Sequence, residues 1–129
     1  MNFLQFGRYI SKSGKKTPGV DKFWSGVAGV AKFGLEIGGI AAIDIDNKTA
    51  FHLEAMQTPT YEDINKEGMT LLTWYANIIV QRKDVLTEIS KLHVADAYFS
   101  KRPFVDKILD NTDLHVISRL RKDADLMYL

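Results

Sequence analysis

Residues 91–122, KLHVADAYFSKRPFVDKILDNTDLHVISRLRK, limit the possible folds more than any other stretch of this chain. Lys91 to Ala95 is a short apolar run of strand length. A period of two places Leu92 and Val94 on the face that Asp96 would share, so Asp96 is expected to end a core-facing row. Ser100 to Asp110 reads as a helix with Phe104, Val105, Ile108 and Leu109 on one side, and Asn111-Thr112-Asp113 breaks it before a second strand, Leu114 to Leu120. A strand-helix-strand crossover makes its two strands parallel, and in open α/β sheets ligand chemistry gathers at the carboxyl ends of the strands. Asp96 stands at such an end. Taken alone, an aspartate there is most often a strand-end or helix-capping residue.

Upstream, Asn2 to Ile10 reads as a strand and 11–19, SKSGKKTPG, as a loop carrying the densest positive charge in the chain. That loop is not a phosphate-binding P-loop: six residues separate Gly7 from Gly14, Lys15 is followed by Lys16, and Pro18 blocks an immediate helix. From Phe23 to Gly34 the glycines at 26, 29 and 34 leave the pattern too loose for a helix. Leu35 to Ile45 then alternates, with Leu35, Ile37, Gly39, Ala41, Ile43 and Ile45 on one face. Asp46-Asn47-Lys48 supplies a turn and Thr49 to Gln57 returns, which predicts a β-hairpin. Asp44 and Asp46 resemble the start of a calcium loop, but the glycine and the bidentate glutamate that such a loop needs are missing, so they read as hairpin-end carboxylates. His52 and Glu54 share a strand face without a third metal ligand.

Thr60 followed by Glu62 and Asp63 is a helix start, its acidic first turn facing the positive helix end. Leu71, Leu72, Tyr75, Ile78 and Ile79 recur at helical spacing and should be buried on the sheet, with Trp74 as a packing residue. Val85, Leu86 and Ile89 continue the pattern as a bent extension or a second short helix. The resulting order is three antiparallel strands, a helix, a strand, a helix and a strand. This predicts an α/β fold with a mixed sheet, on the plan of a ribonuclease H-like core.

With 129 residues, 46% of them hydrophobic and 26% charged, the composition suits one domain spanning 1–129. No apolar run approaches the roughly 20 residues a membrane helix needs, and the basic residues follow the short apolar start rather than precede it, unlike a secretory signal. The lack of cysteine excludes disulfides and thiolate chemistry and fits a reducing, cytoplasmic setting. Net charge is only +1 but unevenly spread. Residues 1–32 carry six lysines and arginines against Asp21 alone, 33–70 are acidic, and Arg119, Arg121 and Lys122 crowd near the end. Basic stretches of this kind either face solvent or meet a polyanion.

Several segments together, KSGKKTPGVDKFWSG, GLEIGGIAAIDIDNKTAFHLEAMQTP, VADAYFSKRPFVDKI and ISRLRKDADL, resemble in order the catalytic domain of bacterial insertion-sequence transposases of the DDE class. The resemblance covers nearly the whole chain. It implies a ribonuclease H-like fold in which two Asp and one Glu bind two divalent ions, normally Mg2+, roughly 4 Å apart, to cut and rejoin transposon-end DNA by phosphoryl transfer. Asp96, in VADAYFSK, matches the second carboxylate and so would be the catalytic metal ligand. Lys12, Lys15, Lys16, Arg119, Arg121 and Lys122 would contact the phosphate backbone.

The chain also departs from the family pattern. The first carboxylate belongs to a motif like Asp-x-Ser-Phe-Ile-x-Lys-Ser-Gly-Lys; aligning Lys12-Ser13-Gly14-Lys15 with it places Arg8 at the serine and Phe6 at the aspartate. The third comes from a helix beyond the final strand, for which Asp123 and Asp125 follow too closely. The expectation is a partial DDE transposase domain that does not cleave DNA alone. The alternative is a non-enzymatic module that binds nucleic acid or another partner and retains the fold. A small-molecule-binding α/β domain has no supporting fingerprint. Oligomeric state is left open.

Overall fold

The computed structural model describes residues 1–11, 16–25 and 28–119. Six strands form one mixed sheet: β1 (Asn2–Ser11), β2 (Asp21–Ser25), β3 (Val30–Asp44), β4 (Thr49–Gln57), β5 (Leu92–Ala95) and β6 (His115–Ser118). The order is β2-β3-β1-β5-β6, with β4 also paired to β3. β3 runs antiparallel to β1, β2 and β4, whereas β5 lies between β1 and β6 and is parallel to both. The four helices among the described residues are α1 (Tyr61–Lys66), α2 (Leu71–Gln81), α3 (Lys83–Ile89) and α4 (Arg102–Asn111), and a 3-10 turn, Ala97–Phe99, follows β5. None of the helices among the described residues is long and apolar enough to cross a membrane.

Local chemistry explains the helix boundaries. The Thr60 hydroxyl accepts from the Asp63 N–H at 3.2 Å and starts α1. Gly68, at φ +70°, reverses the chain, and Thr70 restarts it with a reciprocal cap to Thr73. The helix expected after Thr60 is therefore two helices, and Val85, Leu86 and Ile89 belong to a third short one. Asp44 and Asp46 stay at the hairpin end: Asp44 accepts from the Asn47 side chain at 2.6 Å, and Asp46 pairs with the N-terminal amine.

Within the region too loose for a helix, 23–25 complete β2 and 30–34 begin β3, with Phe23 fully buried. The expected hairpin forms with its turn in place, but its core side is the even row. Gly34, Glu36, Gly38 and Ile40 are buried, while Ile37 is 40% exposed and pairs with the exposed Tyr9. Space decides this. A Cβ on Gly38 would lie 3.2 Å from both Phe6 and Tyr75, so the bare backbone is what lets Tyr75 of α2 settle on the sheet. Gly38→Val is expected to cost about 1–3 kcal/mol of stability through this overpacking, read from a denaturant midpoint; an unchanged midpoint would show that the contact is not tight.

The core lies between one sheet face (Leu4, Phe6, Ile40, Ala95) and the helices, which contribute Leu72, Tyr75, Ile79, Phe104 and Ile108. Phe6 meets Tyr75 and Phe99 edge-on, with ring centroids 5.0 Å away in each case. Within its described residues, 91–119, the expected strand-helix-strand unit forms with parallel strands, the second being His115–Ser118, but its buried row is His93 and Ala95. Leu92 and Val94 are half-buried and Asp96 is exposed, so Asp96 does not end a core-facing row. The reason is register: His93 sits opposite Leu4, and that side of β1 faces the helices.

Candidate functional site

Alternation along β1 places Leu4, Phe6 and Arg8 on the helix-facing side. The first two are apolar and buried; the third must satisfy a guanidinium at the edge of the core. Its partner comes from the same side of β3. Arg8 pairs in register with Gly38 and Glu36 with Ile10, so the two charged side chains meet diagonally, Arg8 Nη1 donating to Glu36 Oε2 at 3.3 Å. The Glu36 side chain is wholly buried and that of Arg8 is 10% exposed. Two more donors complete the carboxylate: the Thr58 hydroxyl, just past β4, at 3.0 Å, and the Tyr75 hydroxyl from α2. Burial first, then the Glu36 charge, raises the Tyr75 hydroxyl well above its ordinary value, so it remains a donor. The other side of Arg8 is covered by an aromatic face, its guanidinium carbon 4.0 Å from the Tyr98 ring centroid. Burial likewise keeps the Tyr98 phenol protonated.

Tyr98 is held by Asp96. Asp96 directly follows β5, and its carboxylate accepts from the Tyr98 N–H at 2.9 Å, capping the 3-10 turn. Its backbone carbonyl accepts from Ser118 Oγ at 2.8 Å, which ties the ends of β5 and β6 together. Around this point opens a cleft of about 700 Å³, lined by Arg8, Glu36, Asp96 and Tyr98 together with Tyr9, Ile10, Trp24, Ser25, Lys32, Ala97 and Arg119.

Of the residues expected from the sequence, Asp96 and Arg119 meet at this cleft, both exposed. Lys16 is exposed in the loop before β2 and is not a lining residue. Lys12, Lys15, Arg121 and Lys122 lie outside the described residues. Arg8, Glu36, Trp24, Lys32 and Tyr98 were not among the expected site residues. A signal for the first two exists: in strands that alternate, Arg8 continues the row Leu4, Phe6, and Glu36 interrupts the row Gly34, Gly38, Ile40.

The residues gathered here do not suit the pair of divalent ions that the resemblance implies. Among the described residues Asp96 has one carboxylate neighbour lining the cleft, Glu36, whose oxygens already serve Arg8, Thr58 and Tyr75. Phe6, at the position expected for the first aspartate, is 2% exposed in the aromatic core. The cation at this place is a guanidinium. Among the described residues, no three His, Asp or Glu side chains gather in a way that could hold a metal ion. The arrangement can instead offer N–H donors, aromatic faces and surface cations to an anion. Comparison with known proteins gave no matching family model, no similar curated protein and no similar solved structure.

Proposed function

We propose that this chain is a DDE-transposase-like domain with a ribonuclease H-like core that binds nucleic acid and does not cleave it. The observation that carries the reading is the cleft at the carboxyl ends of β1 and β5, where Asp96 stands beside Arg8, Lys32 and Arg119. The topology supports the fold assignment: four strands, β3 antiparallel to β1, β2 and β4, precede two strands that continue the sheet parallel to β1 and are reached through helices. The side chains support the proposed loss of cleavage. Phosphoryl transfer by the family route needs hard oxygen ligands on adjacent strand ends, and here a phenylalanine fills one position while an arginine lies beside it.

The domain should bind duplex or single-stranded DNA with an affinity that falls steeply as salt rises, because phosphate contacts release counterions. Incubation of labelled DNA with Mg2+ or Mn2+ should leave it intact. Cleavage by the purified chain would refute the assigned inactivity, and the absence of binding to any nucleic acid would refute the assigned function. Asp96→Asn keeps a cap for the Tyr98 N–H while removing a negative charge beside the cations, so binding should stay equal or tighten about two- to threefold. A tenfold or greater loss in this variant, by fluorescence anisotropy, would give Asp96 a role in ligand contact that the cleft geometry does not support.

A further inference from the structure

The cleft carries two kinds of side chain that the Arg8–Glu36 network does not use. One kind is aromatic. Tyr9 and Trp24 line it while 69% and 50% exposed, a large apolar area to leave in water. The other is cationic. Lys32 of β3 and Arg119 just past β6 also line it, both are exposed, and neither forms an ion pair among the described residues. At the base Arg8 is fixed between Glu36 and the Tyr98 ring, with Glu36 its one hydrogen-bond partner among the described residues, out of the several N–H donors of a guanidinium. Asp96 is the opposing charge at the wall.

Rings from the outward rows of β1 and β2 (Tyr9, Trp24) and cations from the helix-facing rows of β1 and β3 (Arg8, Lys32) line one groove, which fits a polyanion whose units have flat faces available. In a duplex those faces are stacked on one another inside the helix; in a single strand they are accessible. Resting on the reading that this domain binds nucleic acid, we infer that the cleft selects a single-stranded segment, with bases stacking on Trp24 and Tyr9 and phosphates contacting Lys32 and Arg119. Arg8 supplies a fixed, metal-independent donor at the base of the groove. Stacking tolerates any base, so the selectivity is for strandedness over sequence.

The test compares fluorescein-labelled oligothymidylate with a duplex of the same length, at equal salt and in EDTA, with thymidine monophosphate as a third probe. The single strand should bind more tightly than the duplex, quench tryptophan fluorescence and need no metal. Trp24→Ala should weaken single-strand binding on the order of 5- to 150-fold and remove most of the quench, while Trp24→Phe, which keeps a stacking face, should recover much of the affinity. Lys32→Ala should lower the salt slope by about 0.7, one phosphate contact. Equal or tighter duplex binding overturns the inference without touching the reading of a nucleic-acid-binding domain, as does unchanged binding by Trp24→Ala. Thymidine monophosphate binding as tightly as the strand overturns it in favour of a free-nucleotide site. Failure of both DNA probes removes the inference and the reading together. The wild-type strand-against-duplex comparison decides the matter even if a variant folds poorly.

Discussion

Arg8→Met should destabilise the fold by about 3–5 kcal/mol, because it strands the Glu36 carboxylate in the core without its counter-charge. Glu36 is fully buried and keeps two neutral donors, Thr58 and Tyr75, after the arginine is gone. Neutral hydrogen bonds soften the cost of burying an anion but do not replace an opposite charge. Glu36→Leu should be costly for the mirror reason, since it leaves a guanidinium that is 10% exposed against the Tyr98 and Phe99 rings with no counter-charge bonded to it. The double variant Arg8→Met/Glu36→Leu removes both charges, and it frees the Thr58 and Tyr75 hydroxyls, no longer both donating to Glu36, to hydrogen-bond each other. It should recover most of the stability lost by either single change, since well-packed apolar replacements of buried ion pairs are often neutral or better. Urea titrations of the four proteins supply the double-mutant cycle. Single losses below about 1 kcal/mol, or a double variant whose loss equals the sum of the singles, would show that the pair is neither strongly desolvated nor coupled. The double variant also has a functional use, because it removes the fixed donor at the base of the cleft while leaving Trp24 and Lys32 untouched.

The strand-helix-strand unit and the hairpin were legible because each rests on local periodicity bounded by turn residues: Asn111 to Asp113 in one, Asp46 to Lys48 in the other. Which side of β3 turns inward was not. Both of its rows contain small and apolar residues, and the even row carries Glu36, which is inside because Arg8, Thr58 and Tyr75 converge on it from β1, the end of β4 and α2. A buried charge is decided by partners distant in sequence. β2 escaped notice for a related reason, as Asp21 to Ser25 is short, glycines lie on either side, and its pairing with the start of β3 is what makes it a strand. Asp96 was found as a strand-end carboxylate and stands at one. The side chains that give the cleft its character, Arg8, Trp24 and Lys32, come from β1, β2 and β3, and only the sheet order brings them beside the end of β5.

Lowering the pH from about 6.5 towards 4 should cost the wild-type fold on the order of 3 kcal/mol more than it costs His93→Leu. His93 lies on β5 between Leu4 of β1 and Val116 of β6; it is fully buried, and neither ring nitrogen has a hydrogen-bond partner among the described residues. Burial pushes its pKa down to about 4 from an ordinary 6.5. Between those values the unfolded chain holds a proton that the folded chain refuses, so acidification favours unfolding across that window; above 6.5 both states are neutral and the penalty vanishes. Carboxylates that titrate in the same range contribute equally to both proteins and cancel in the difference. At neutral pH the leucine variant should match or exceed the wild type, since it removes two unpaired polar atoms from the core at nearly constant volume. Unfolding free energies measured by urea titration at pH 7, 5.5 and 4.5 give the comparison. Parallel curves would mean that His93 is protonated at little cost, through a partner or water reaching the ring. Diverging curves would place an acid-sensitive group at the junction of the three parallel strands whose ends frame the cleft.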